Sequence, residues 1–283
     1  MKNVACIINP NSSKGKYHAA LQAFQKVLHD DRILLSRSAQ DTHEFIKKQW
    51  NDTDIFIAVG GDGTITSVAC QLAHSDKILA ILPGGSGNGF SREHQFDKDI
   101  DGLLSKIKGK QYRRIDTFTV NGHLSINVSG VGFDGVVTKL FEKTNRGLWN
   151  YVKVSLRTFF SYKPVEIKFE DEKHVSRKGK YLMINVANTR QFGNNAFIAP
   201  HATTTDGLAE IVLVKKFPLW YGAIFAARLF AGTLKEDEYI SYISTADISF
   251  SVNSRDWHLD GDYIEISSPV HIQVQPASLC VLQ

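Results

Sequence analysis

The chain has 283 residues, 43% hydrophobic and 22% charged, with a formal charge of +4. This length suits one large domain or two ordinary ones around a substantial core, and the composition excludes a disordered or fibrous chain. Lysines and arginines are scattered along the chain, which argues against a nucleic-acid partner, and no apolar run reaches the roughly 18 residues of a membrane span.

Val4 to Ile8 reads as a buried strand and is too short for a signal-peptide core. Tyr17, Ala20, Leu21, Phe24, Val27 and Leu28 then recur at helical spacing, and Arg32 to Leu35 is the next strand. Asp41 with Glu44 resembles a capping box opening a helix that buries Phe45, Ile46 and Trp50. Ile55 to Val59 and Ile78 to Leu82 are further strands, separated by the stripe Ile65, Val68, Ala69 and Leu72 and followed by a helix carrying Ile100, Leu103, Leu104 and Ile107. Strands alternating with helices predict an open, mostly parallel α/β sheet over residues 1–111. Ligands of such sheets sit outside the carboxyl ends of the strands, so the loops starting at Asn9, Gly60 and Pro83 are expected to converge.

From about Tyr112 the period changes to two. Val165, Ile167 and Phe169 alternate with charged residues, Ile248, Phe250 and Val252 with serines, and Ile272 and Val274 with glutamines. Two helical patterns, Gly147 to Ser161 and Phe217 to Leu234, interrupt them. Residues 112–283 are therefore expected to form a β-rich, sandwich-like domain. Cys6, Cys70 and Cys280 have no metal-ligand spacing and read as reduced core residues of a cytoplasmic protein.

The most informative loop is Gly60-Gly61-Asp62-Gly63-Thr64, between a buried strand and an amphipathic helix. Its glycines remove the β-carbons that keep phosphate off the backbone, and the helix offers N–H groups and a positive dipole end. Asp62 suits such a loop if it faces a metal ion or a donor; the plain alternative is a helix cap. The donor-rich turn Asn9 to Lys16 and the loop Pro83 to Gly89 complete a nucleotide site without the Walker pattern. Gly130-Val131-Gly132-Phe133-Asp134-Gly135 matches GxGxxG formally, but no acidic residue follows about 20 positions later, so a dinucleotide site is rejected. Asp260-Gly261-Asp262 and Asp206-Gly207, taken alone, are turn signals.

Together these segments resemble the diacylglycerol kinase catalytic family, which includes bacterial lipid kinases and the sphingosine and ceramide kinases. The Asn9-Pro10 turn, Gly60 to Thr64, Leu82 to Asn88, Asn127 to Asp134, Ile198-Ala199-Pro200 with Asp206-Gly207-Leu208, and Asp260-Gly261-Asp262 occur in the family's order over nearly the whole chain. The resemblance implies an ATP- and Mg²⁺-dependent kinase that phosphorylates a lipid hydroxyl, of the diacylglycerol or sphingoid-base type, after docking reversibly on a membrane surface. It implies that Asn9, Pro10, Asn11, Ser12, Ser13, Ser36, Gly60, Gly61, Asp62, Gly63, Thr64, Ile65, Thr66, Ser67, Ser86, Gly87 and Asn88 surround the nucleotide. Asp62 is expected to organise catalytic Mg²⁺, Asp260 or Asp262 to accept the hydroxyl proton, and Asp206 to hold a structural Mg²⁺ with the carbonyls of Thr203 and Leu208. Asp262 stands where many members have Glu, Gly89 where bacterial members usually have Asp, and Gly193-Asn194-Asn195 where a glycine triplet is usual. A kinase of the NAD kinase type and a catalytically silent nucleotide-binding protein are the alternatives; the lipid acceptor and the choice between monomer and homodimer stay open.

Overall fold

Near-continuous apolar runs form strands only when both faces are covered, and the computed structural model bears this out in β1 (Val4–Ile8), β3 (Ile55–Gly60) and β4 (Ile78–Pro83), while the shorter β2 (Ile33–Leu35) is half-buried. The structure describes residues 3–12, 17–85, 87–96, 99–109, 111–141, 144, 148–171 and 173–283. Helices α1 (Tyr17–Gln25), α2 (Ala39–Gln49), α3 (Asp62–Leu72), α4 (Gly89–Glu93) and α5 (Ile100–Gly109) occupy the crossovers and the stretch after β4. All neighbouring strands in the order β2-β1-β3-β4 run parallel. The order reverses between β1 and β3, so the loops that follow these two strands flank the topological switch point where open α/β sheets hold ligands.

Helix α2 starts earlier than the expected Asp41–Glu44 box. Ser38 is its N-cap, accepting the Asp41 N–H at 3.0 Å and donating its hydroxyl to the Asp41 carboxylate at 2.7 Å. That hydroxyl and the Arg37 backbone N–H hold the Asp41 carboxyl below its ordinary pKa. The box is thus Ser38 with Asp41, three residues apart.

The later strands are β5 (Tyr112–Val120), β6 (His123–Ser125), β7 (Val128–Gly132), β8 (Val165–Phe169), β9 (Gly179–Tyr181), β10 (Met183–Ala187), β11 (Ala209–Val214), β12 (Ile240–Thr245), β13 (Asp247–Val252), β14 (Asp256–Leu259), β15 (Asp262–Glu265) and β16 (Val270–Leu282). Helices α6 (Phe133–Phe141), α7 (Leu148–Ser161) and α8 (Leu219–Ala231) interrupt them. One sheet has the antiparallel order β12-β11-β10-β7-β14-β15, and β8 and the first part of β16 flank β13 in another. Their inner faces share one core, with Val131, Ile184, Ile211 and Trp257 from the first sheet and Ile167, Phe250 and Ile272 from the second. This is the expected sandwich, and the alternating burial of β8 reports its one covered face.

The chain divides into two compact units, Met1–Asp116 with Pro276–Gln283, and Thr117–Gln275. The expected division at residue 112 assigns the whole last strand to the second unit; here its end returns to the first, where Cys280 and Val281 pair in parallel with Ile78 and Leu79. Cys70 is exposed rather than a core residue, whereas Cys6 and Cys280 are buried. Among the described residues no helix is long and apolar enough to cross a membrane.

Candidate functional site

In the first unit the three loops meet through their backbones. A β-carbon added to Gly85 would stand 2.6 Å from the Gly61 Cα, and one on Gly84 would stand 3.4 Å from the Ser12 hydroxyl and 3.5 Å from the Gly60 Cα. The approach is tied by the Gly84 N–H donating to the Gly60 carbonyl at 2.7 Å and the Asn9 N–H donating to the Val59 carbonyl at 3.0 Å. Only glycine permits this proximity, because any side chain on Gly85 collides with main chain that cannot rotate away.

The polar side chains fix the loops. Asn9 accepts the Asn11 N–H at 2.9 Å and donates to the Thr64 hydroxyl at 3.0 Å, while Ser12 donates to the Asn9 carbonyl at 2.8 Å. Asn88, in the left-handed region at φ +50°, closes the third loop by accepting the Gly85 N–H at 3.0 Å and donating to the Gly85 carbonyl at 2.8 Å. Asp62 opens α3, and its carboxylate oxygen lies 3.0 Å from where a β-carbon on Gly87 would stand. The result is a cradle of main chain with the Asp62 carboxylate in its wall, at the start of an 11-residue helix.

Not every expected nucleotide residue belongs to this wall. Ile65 is fully buried in the core. Ser36 is buried, with its hydroxyl 2.8 Å from the Thr42 hydroxyl and donating to the Ser38 carbonyl at 2.9 Å, so it serves the start of α2. Gly63 is exposed, and Thr66 and Ser67 are half-buried on α3. Pro10 lies in the turn of the first loop; Ser13 and Ser86 lie outside the described residues. Next to the third loop, His94 sits 2.5 Å from the Arg113 guanidinium; burial, with that cation's help, pushes its imidazole down to about 3.

In the second unit the two carboxylates of the acidic hairpin sit in different surroundings. Asp260 and Gly261, at φ +50° and +98°, form the two-residue turn between β14 and β15, with Leu259 paired to Asp262. The Asp260 carboxylate is turned inward and buried. It accepts the Ser125 hydroxyl at 2.6 Å, the Ile126 N–H at 3.0 Å and the Asn127 N–H at 2.9 Å, a nest for an anion. Asp262 is exposed. The hairpin is braced by Lys139 of α6, which donates to Asp256 at 2.9 Å and Tyr263 at 2.7 Å; both bonds raise its ammonium pKa.

Asp134, in the rejected GxGxxG segment, is a buried carboxylate bonded to Asn185 and lying 3.1 Å from His258 Nε2. The glycines around it serve packing: a β-carbon on Gly130 would stand 2.3 Å from Asn185 and Asp134, and one on Gly135 would stand 2.1 Å from the Asp256 carbonyl. Sequence reasoning missed Ser125, Lys139 and His258; only His258 carried a signal, since strand alternation places it two residues before Asp260.

The Asp206 loop is exposed, with the Asp206 carboxylate accepting the Leu208 N–H at 3.0 Å and Gly207 at φ +74°. The Asp206 carboxylate and the Thr203 and Leu208 carbonyls expected to join it are all hard oxygens, the kind Mg²⁺ takes alongside retained waters. Among the described residues no group of three His, Cys, Asp or Glu side chains forms a metal cluster. Asn194 and Asn195, at φ +50° and +62°, occupy left-handed positions that asparagine tolerates better than other side chains do, which accounts for their standing where glycines are usual.

Comparison with known proteins adds to this geometry. Residues 3–120 match the model for a diacylglycerol kinase catalytic domain, and residues 127–283 match that for a YegS C-terminal NAD kinase beta sandwich-like domain. A diacylglycerol kinase of Bacillus subtilis is 29% identical, with 93% of this chain and 90% of the relative aligned. One of Mycobacterium tuberculosis is 23% identical, with 99% and 94% aligned. A crystal structure of a diacylglycerol kinase from Bacillus anthracis superposes with a TM-score of 0.71 over 99% of this chain and 96% of that one, at 20% identity, and so shares the fold.

Proposed function

We propose, from the premise that this chain belongs to the family that joins a diacylglycerol kinase catalytic domain to a YegS C-terminal NAD kinase beta sandwich-like domain, that it transfers the γ-phosphate of ATP to the hydroxyl of a lipid. The observation that carries this reading is the main-chain cradle at the switch point, where Gly61 and Gly85 approach too closely for any side chain and Asp62 supplies a carboxylate.

Phosphoryl transfer asks for positioned phosphates, neutralised charge and an acceptor for the hydroxyl proton. The glycine loops and the start of α3 meet the first need with backbone N–H groups and the helix dipole. Asp62 is the residue to hold a divalent ion, and Mg²⁺ bound there supplies neutralisation of the phosphate oxygens. Of the two hairpin carboxylates, Asp262 is the better base, since it is exposed, whereas Asp260 is occupied by two N–H groups and a hydroxyl. Asp260 is then a positioning residue that seats the hairpin. A base in reach of the acceptor hydroxyl contributes about 10² to 10⁴-fold. The Asp206 loop, with Thr203 and Leu208, is assigned a structural Mg²⁺.

The acceptor is a lipid reached by reversible docking of a cytoplasmic protein; diacylglycerol is favoured over sphingoid bases by the names of the relatives. The experiment is transfer from labelled ATP to diacylglycerol, sphingosine, ceramide and NAD in mixed micelles with and without magnesium, with product identification. Mg²⁺-dependent label in a lipid is expected. Label in NAD alone, or ATP binding with no acceptor labelled, would replace this reading with that of an NAD kinase or a silent nucleotide-binding protein.

A further inference from the structure

Helix α8 is apolar on both sides. Tyr221, Phe225 and Leu229 pack against the outer face of the six-stranded sheet. On the opposite side Trp220, Ile224 and Phe230 stand exposed at positions i, i+4 and i+10, preceded by exposed Leu219, and Trp220 has 65% of its surface accessible. A helix that is hydrophobic all round is ordinarily covered on all sides. Helix α7 repeats the pattern: Trp149, Leu156 and Phe160 share one face at i, i+7 and i+11, and Trp149 and Phe160 are 78% and 65% exposed. The end of α7 adjoins the segment that leads into α8, where the Phe159 and Phe217 rings lie 5.3 Å apart and Lys216 donates to the Tyr162 carbonyl at 2.8 Å.

Charge distinguishes the occupants. Lys153 and Arg157 are exposed within the α7 face, and neither helix contains an Asp or Glu. The carboxylates that follow α8 are partly matched, Asp237 by Tyr221 and Arg228 and Glu236 by Arg177 at 3.8 Å. Lysine is depleted from the core of interfaces between proteins. Among lipid head groups its stem can lie along apolar surface while its ammonium meets phosphate, and tryptophan prefers the same depth.

We propose that the outer faces of α7 and α8 form the surface by which this protein inserts into the head-group layer of an anionic bilayer, with Trp149, Phe160, Trp220 and Phe230 in the acyl boundary and Lys153 and Arg157 on lipid phosphates. The choice of occupant rests on the lipid-kinase reading. It goes beyond that reading in naming the inserted face.

The test is flotation of the full chain with vesicles of phosphatidylcholine alone or mixed with phosphatidylglycerol, and tryptophan emission in the same samples. Wild type is expected to float with mixed vesicles and to shift its emission to the blue. Replacing Leu156, Phe160, Trp220 and Ile224 by serine is expected to weaken partition at least about tenfold with an unchanged circular dichroism spectrum, since the apolar area that enters the acyl boundary is lost. Lys153→Glu with Arg157→Glu, at exposed positions that leave the core alone, should abolish the preference for phosphatidylglycerol and its salt sensitivity. Unchanged partition in both variants, wild type that ignores vesicles, or substitutions that instead split a dimer seen by light scattering would overturn the proposal. Phosphorylation of a short-chain, monomerically dispersed diacylglycerol separates the two readings. It should survive all of these substitutions, and its absence in wild type that still floats counts against the kinase and not against the surface.

Discussion

The glycine cradle of the first unit and the acidic hairpin of the second each present carboxylates, but they are made of different material. The cradle is main chain: Gly61 and Gly85 approach because neither carries a side chain, and Asn9 and Asn88 tie loops back to backbone or to a neighbouring hydroxyl. The hairpin is held by side chains, with Asp260 gripped by Ser125, Ile126 and Asn127 and the strands braced by Lys139. The Asp62 carboxylate stands in a wall of backbone, while the hairpin commits the Asp260 carboxylate to three hydrogen bonds from one hydroxyl and two main-chain N–H groups.

The largest effect that tests this contrast is expected in Asp62→Ala, which should lower turnover by about 10² to 10⁴-fold with the melting temperature nearly unchanged, because loss of a held metal removes several kcal/mol of charge stabilisation. Turnover near wild type in the labelled-ATP assay would move the metal elsewhere. Next come the hairpin residues, which should part company: Asp262→Asn loses about 10²-fold or more in kcat and little stability, whereas Asp260→Asn loses about 1–3 kcal/mol in denaturant melts from its three disturbed hydrogen bonds. Equal behaviour of the two would erase the division of labour.

Gly85→Ala should weaken binding of a fluorescent ATP analogue by about tenfold or more, because overpacking against main chain costs about 1–3 kcal/mol. The smallest effect is a pH dependence confined to the first unit. His94, lowered to about 3 by burial and by Arg113, binds its proton only in the unfolded chain between that value and about 6.5. Its contribution is therefore fully present above about pH 6.5 and declines as pH falls towards 3. The difference in melting temperature between wild type and His94→Gln should follow that curve; a flat difference would show that the imidazole titrates normally.

The same contrast explains what was legible. Glycines whose absence of a side chain is the function are visible as letters, so Gly60 to Thr64 and Pro83 to Asn88 pointed to their loops from spacing alone. Strand β8 was equally plain, since one covered face imposes a period of two. The nest around Asp260 was not, because its donors lie 133 to 135 residues away and two of them are backbone N–H groups that any residue provides. The assignment of Ser36 by its distance after β2 could not foresee that the start of α2 takes its hydroxyl. The return of the last strand was not foreseen: the alternation of Ile272 and Val274 carried the whole of β16 into the second domain, while the run Leu279 to Leu282 that follows it is buried throughout.

That return bears on the order in which the protein can be assembled. Strand β4 has β3 on one side and the end of β16 on the other, and this second partner is translated only after the whole of the second unit. Until it emerges, the Ile78–Leu79 edge is unpaired and Cys280 and Leu282 are missing from a core otherwise encoded in the first 107 residues. Open strand edges are where nascent chains misassociate. The polypeptide that carries the cradle is thus translated well before the strand that seals its sheet, and depends on protection during the interval.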